Sequence, residues 1–106
     1  MKEVRDKLRE FNKKRDWEQF HTPENLAKSI AIEAGELLEC FQWDGDYDRD
    51  AVSDEIADVM NYCVMLADKI GIDPKEEMLR KIQQNGEKYP VAKAKGKSLK
   101  YDEFED

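Results

Sequence analysis

Five carboxylates stand beside the surface that a small helical protein must bury. Glu33, Glu36 and Glu39 fall in IEAGELLECFQW (32–43), and Glu55 and Asp58 in DEIADVMNYCVML (54–66). Residues three apart on a helix lie about 60° apart around its axis. Glu33 and Glu36 therefore point the same way, as do Glu55 and Asp58, and each pair borders an apolar stripe. Four carboxylates converging at a low-dielectric edge repel and raise one another's pKa values. A hard divalent cation between them removes the conflict. Mg²⁺ takes oxygen ligands, keeps waters, and typically bridges carboxylates to substrate phosphates. Without Cys or His among these residues, zinc fits poorly. E-x-x-E pairs are ordinary on solvated helix faces, so either pair alone says little. Two pairs beside apolar stripes on successive helices favour a metal site.

The charge distribution agrees. The chain of 106 residues has a net charge of −7, which argues against a general nucleic-acid binder. Residues 33–58 hold ten acids against one base, Arg49, so this segment is −9 and the rest of the chain +2. Self-repulsion on that scale destabilises a compact state, and a bound cation offsets it. The length fits one domain. No run of 18 apolar residues suggests a membrane span, and the charged start MKEVRDKLREF is not that of a signal peptide. A cytoplasmic location is expected. Cys40 and Cys63 lack CxxC spacing and fall among apolar residues, so they are expected to be buried free thiols in a reducing compartment.

The elements that must position these groups are helices. Residues 3–15 give a first helix with Val4, Leu8 and Phe11 on one side. RDWEQFHT (15–22) is a connector holding Trp17 and the single histidine, His21. Thr22 as cap and Pro23 at the first position start a second helix. It carries Leu26, Ile30, Ala34, Leu37, Leu38 and Phe41 and is expected to reach about Gln42. DGDYDRD is a polar loop. The third helix runs from near Asp50 to Gly71, with Val52, Ile56, Val59, Cys63, Leu66 and Ile70 facing inward, widened by Met60, Val64 and Ala67. Asp73, Pro74 and Glu76 start a fourth, with Met78, Leu79 and Ile82 apolar, ending at Tyr89-Pro90. No strand-like alternation occurs. The fold class is all-α, four antiparallel helices per chain, with residues 1–90 as the domain and 91–106 as a loosely held charged tail. The stripes are wide for one thin hairpin, which predicts a homo-oligomer, a homodimer or a tetramer built from two dimers.

DWEQFHTPENLAKSIAIEAGELLECFQW, DEIADVMNYCVML and KIQQNGEKYPV together resemble the MazG-like all-α nucleotide pyrophosphohydrolases, and within them the dCTP-pyrophosphatase-like branch. The resemblance spans about residues 5–95. It implies a MazG-like bundle assembled through oligomerisation, with sites completed by a neighbouring subunit. It implies Mg²⁺-dependent hydrolysis of nucleoside triphosphates to the monophosphate and pyrophosphate, with Mn²⁺ able to substitute, in nucleotide-pool house-cleaning. Glu33, Glu36, Glu55 and Asp58 match the metal ligands. Trp17, His21, Trp43 and Tyr62 match the nucleobase pocket, and Lys81 and Asn85 the positions that reach the phosphates. Neither nucleic acid nor a membrane is an implied partner. Many relatives carry E-E-x-x-E, and here the residue before Glu33 is Ile32, which leaves the metal count open. Glu36 and Glu39 are both candidates for the base that takes a proton from water, and Lys81 for neutralising phosphate charge in the transition state.

A rival reading comes from DGDYDRDAVSDE (44–55), which places Asp44, Asp46, Asp48 and Glu55 at positions 1, 3, 5 and 12 of a calcium loop. Position 6, which needs glycine, is Arg49. On that reading the protein is a non-enzymatic acidic helical module responding to Ca²⁺.

Overall fold

The computed structural model describes residues 1–96, so part of the expected charged tail, 97–106, lies outside the described residues. Among the described residues there are helices and no strands: α1 (Lys2–Lys14), a 3₁₀ turn (Glu18–Phe20), α2 (Pro23–Glu39), α3 (Arg49–Ile70), α4 (Pro74–Lys88) and the single turn α5 (Val91–Ala94). None is long and apolar enough to cross a membrane. The described residues divide into two compact units, Met1–Pro74 and a second that begins at Lys75.

Local chemistry sets the ends of the helices. Thr22 accepts from the Asn25 N–H at 3.1 Å with Pro23 next in line, so α2 starts as expected. Asp48 caps α3 through Oδ1, which accepts from the Asp50 and Ala51 N–H groups. Gly71, at φ 78°, closes α3 in the left-handed conformation that costs glycine least. Helix α2 stops three residues short of the expected Gln42. The N–H groups of Cys40, Phe41 and Gln42 bond three residues back, to Leu37, Leu38 and Glu39, so the last turn tightens and the α-helix ends.

In the first unit α2 packs along α3, and α1 packs on α3. Leu26, Val64 and Ala67 are the buried apolar residues. The inward edge of α2 reads Leu26, Ile30, Glu33, Leu37, Cys40, and that of α3 reads Val52, Glu55, Val59, Tyr62, Leu66, each spaced by alternating threes and fours. The expected stripe of α3 is therefore rotated. Ile56, Met60, Cys63 and Ile70 are exposed in the single chain, while Val64 and Ala67, expected only at its margin, are its most enclosed residues. Nor are the thiols buried. Cys63 is exposed and Cys40 half-buried, because Tyr62, one position and about 100° away, takes the inward slot. Helix α1 shows the same offset: Leu8 is half-buried and Asn12 buried, whereas Val4 and Phe11 are exposed.

The second unit is described by itself. Helix α4 is amphipathic, with Met78, Leu79 and Ile82 exposed along one side. Arg80 pairs with Glu77 at 2.8 Å, and the Tyr89 N–H bonds the Asn85 carbonyl at its end.

Candidate metal and nucleotide site

Two of the inward slots of the α2–α3 hairpin that packing would fill with leucine or valine hold Glu33 and Glu55. Both side chains are half-buried, and with the exposed Asp58 they offer three carboxylate oxygens all within 4.8 Å of one another. Glu33 Oε2 and Glu55 Oε2 are buried and have no hydrogen-bond partner. An unpartnered buried carboxylate oxygen is costly unless something positive reaches it.

The electrostatics record the conflict. The Glu33 carboxyl is pushed up to about 7, first by the adjoining Glu36 carboxyl, then by burial, then by the charges of Glu36, Asp58 and Glu55. Glu55 is raised too, chiefly by burial and then by the charge of Glu36. Glu36 thus acts on both half-buried glutamates although it lies outside the tightest trio. Three of the four expected ligands, Glu33, Glu55 and Asp58, come together here, and the fourth, Glu36, is close enough to raise the Glu33 carboxyl. Glu39 lies one turn beyond Glu36, exposed at the end of α2.

An all-carboxylate donor set with two orphaned oxygens suits a hard, oxygen-seeking divalent cation. The same geometry removes the calcium-loop reading. Asp48 is committed to capping α3, the Asp44 carboxylate accepts from the Asp46 N–H at 2.9 Å, and Glu55 faces Glu33 across the hairpin.

The remaining candidates are spread out. Tyr62 is half-buried one turn beyond Asp58 on α3. Trp17 packs edge-on against Phe11, with ring centroids 5.8 Å apart. Trp43 stands 88% exposed in the loop between α2 and α3. His21 lines a cleft of about 630 Å³ whose walls come mainly from α1 and the latter half of α3. That cleft is not at the carboxylates. The single chain therefore gathers a carboxylate cluster that could hold a cation, while Trp17, His21, Trp43 and Tyr62 stand on different elements. In the second unit Lys81 and Asn85 are exposed, four residues apart on α4, and the Lys81 ammonium donates to Gln84 Oε1 at 3.1 Å.

Sequence reasoning placed Glu33 and Glu55 at the border of the core, not in its inward row. The alternating three-four spacing of Leu26, Ile30, Leu37 and of Val52, Val59, Leu66 carries that signal, because each row is interrupted by a glutamate at the slot it would predict. Reasoning missed the tie between Arg9 and Asp68, which are 59 positions apart.

Comparison with known proteins converges on one group. The sequence profile of the MazG-like family matches residues 28–104. Mouse dCTP pyrophosphatase 1 is 36% identical over 95% of this chain and 65% of its own length. The human protein of that name is 38% identical over 98% of this chain and 67% of its own. The chain thus spans about two thirds of the length of the curated relatives it matches. A crystal structure of a pyrophosphatase from Archaeoglobus fulgidus superposes with a TM-score of 0.76 at 44% identity, covering 85% of this chain and 92% of that one.

Proposed function

The chain belongs to the MazG-like family, and from that premise we propose that it is a nucleoside triphosphate pyrophosphohydrolase, working in the cytoplasm as a nucleotide-pool house-cleaning enzyme. The observation that carries this reading is the pair of buried, unpartnered oxygens of Glu33 and Glu55 facing each other beside Asp58. A structural role does not account for them, whereas a cation-dependent phosphate chemistry does. The relatives named dCTP pyrophosphatase make dCTP the first substrate to try.

Glu33, Glu55 and Asp58, with Glu36 beside them, would hold the cation, Mg²⁺ or Mn²⁺ in its place. When bound, it supplies neutralisation of the triphosphate charge and acidification of a bound water. The hydrolysis balances simply. The water oxygen bonds to the α-phosphorus, the bond from that phosphorus to the bridging oxygen breaks, and pyrophosphate leaves. Glu36, outside the closest trio yet nearer to it along α2 than Glu39, would take the water's proton in this reading. Trp17, Trp43, His21 and Tyr62 take the base. Lys81 and Asn85 meet the phosphates on the strength of the family pattern, and residues 1–90 form the catalytic domain in this reading.

In this reading the pocket closes on self-association, in a dimer or a dimer of dimers. Exposed Ile32, Leu38, Ile56 and Met60 on α2 and α3 support it. Light scattering at micromolar concentration is expected to report an oligomer, and a monomer would remove this part of the reading. The main test is a nucleotide panel with Mg²⁺ or Mn²⁺, quantifying monophosphate and pyrophosphate. Equal amounts of the two support the reading. Inorganic phosphate alone, or no turnover of any triphosphate, sinks it.

A further inference from the structure

Trp17 is held by a device that nothing in its own side chain explains. Helix α1 ends at Arg15, and Asp16 then takes φ 54°, a left-handed conformation that residues other than glycine seldom adopt. The Asp16 N–H bonds the Lys13 carbonyl at 3.1 Å and the Trp17 N–H bonds the Asn12 carbonyl at 3.0 Å. These two bonds, with Trp17 packed back on Phe11, make a Schellman closure in which aspartate stands where glycine is usual. Gln19 secures it. Its amide nitrogen donates to both the Asp16 carbonyl, at 2.9 Å, and Asp16 Oδ2, at 3.0 Å. On the other side the Arg15 guanidinium lies 3.6 Å over the Phe11 ring against which Trp17 rests. The indole is thus fixed from both ends of the turn while remaining 45% exposed, so it is presented and not buried.

We propose that Asp16 and Gln19 are positioning residues for Trp17: their contact holds the left-handed turn that aims the indole at the nucleobase. This rests on the base-binding role of Trp17 proposed above. A glycine at position 16 would allow the turn, but it would supply no carboxylate for Gln19 to grip. Aspartate gives up some backbone ease and gains that grip. The reason to accept the exchange is orientation of the next residue, since a stacking ring contributes only when its face is pre-set.

The test uses the full chain and dCTP, or the best triphosphate from the panel. Asp16→Ala removes the side-chain acceptor and disfavours the turn. It should raise KM roughly threefold to tenfold, a part of the roughly tenfold or more that a stacked ring contributes, with kcat within about twofold of wild type. Asp16→Asn keeps both the left-handed tendency and the acceptor and should restore KM. Gln19→Glu sets carboxylate against carboxylate and should raise KM as Asp16→Ala does. The pair Asp16→Asn with Gln19→Glu restores the side-chain bond, though not the one to the Asp16 carbonyl, and should recover KM in part. In a Trp17→Ala background Asp16→Ala should add nothing further. In a Trp43→Phe background, where Trp17 is the only tryptophan, Asp16→Ala should increase acrylamide quenching of its fluorescence. If Asp16→Ala still raises KM without Trp17, or leaves Trp17 quenching unchanged, the positioning role is wrong while base binding by Trp17 stands. If Trp17→Ala leaves KM unaltered, the base-binding role has failed and the proposal falls with it, whatever the fluorescence reads. Should Asp16→Ala not fold, Gln19→Glu carries the same comparison.

Discussion

Helix α3 carries two acidic environments of opposite character. In its first half Glu55 faces Glu33 with an orphaned oxygen on each, and both carboxyls are raised above their ordinary range. In its last turn Asp68 is gripped by the Arg9 guanidinium, whose Nε donates to Oδ2 at 2.8 Å while its Nη2 pairs with Oδ1. That forked contact holds the Asp68 carboxyl below its ordinary range, against the opposing effect of burial. One end of the helix is satisfied by its own chain. The other is left unsatisfied by every described residue around it. The difference separates a structural acid from a ligand-seeking one, and it does so without reference to any relative.

The largest effect should come from the unsatisfied end. Glu36→Gln and Asp58→Asn are each expected to lower kcat/KM by about a hundredfold or more, the scale on which charge-stabilising groups act. Circular dichroism should remain helical, and the metal-free melting temperature should hold or rise, because one of four repelling charges is gone. Full activity in both variants would erase the distinction drawn above.

A second break in the comparison uses pH. Glu33 titrates near 7 in the folded chain and at 4.5 in the unfolded one, so below 4.5 both states are protonated and no penalty exists. Between those values the unfolded chain loses its proton first, and stability falls as pH rises, levelling off above about 7. Glu55 adds in the same direction. Asp68 runs the other way: its stabilisation is present above its unfolded value of 3.8 and fades as pH drops through its lower folded value. Metal-free protein should therefore melt higher at pH 5 than at pH 8. Mg²⁺ should raise the melting temperature more at pH 8, where protons no longer compete for the carboxylates. An equal Mg²⁺ effect at both pH values would show that the cation binds elsewhere.

Much of this was legible in the chain, and unevenly so. Thr22-Pro23 and Gly71 set helix ends through bonds between near neighbours, and such signals survive in sequence. The facing carboxylates were legible because two E-x-x-(E/D) pairs sit at one helical phase. The rotation of α3 was not. Apolar residues cover more than half its circumference, so periodicity admits several inward directions, and only the partner helix selects Val59, Tyr62 and Leu66 over Ile56 and Cys63. The pairing of Arg9 with Asp68 needs two helices docked across 59 positions, and no local pattern encodes it. Asp16 was passed over because a left-handed backbone leaves no mark when the residue is not glycine.

A smaller effect distinguishes binding from chemistry. Trp43→Ala removes a ring that stands 88% exposed, so it should scarcely alter melting. If the ring meets the base it should raise KM by roughly tenfold, since stacking acts in ground and transition states alike. Lys81→Ala should instead lower kcat with little change in KM, because charge builds on the phosphates during reaction. The reverse pattern, a kcat effect at Trp43 and a KM effect at Lys81, would exchange their roles.

The smallest effect belongs to the satisfied end. Asp68 lies ten positions beyond Asp58, about 15 Å along the helix axis, and its partner Arg9 comes from α1. Asp68→Asn should therefore leave kcat and KM within about twofold of wild type. It should lower the melting temperature by about 2–5 °C, as expected for losing one well-formed but partly solvated ion pair in a small domain. Salt supplies the control. At 1 M ionic strength the Debye length is about 3 Å, and the gap between wild type and variant should narrow. Arg9→Gln should produce the same loss, and the double variant should lose no more than either single one if the pair acts as a unit. A large fall in activity from Asp68→Asn, with melting unchanged, would mean that this acid serves the reaction too, and that the two ends of α3 do not divide the work as their hydrogen bonding indicates.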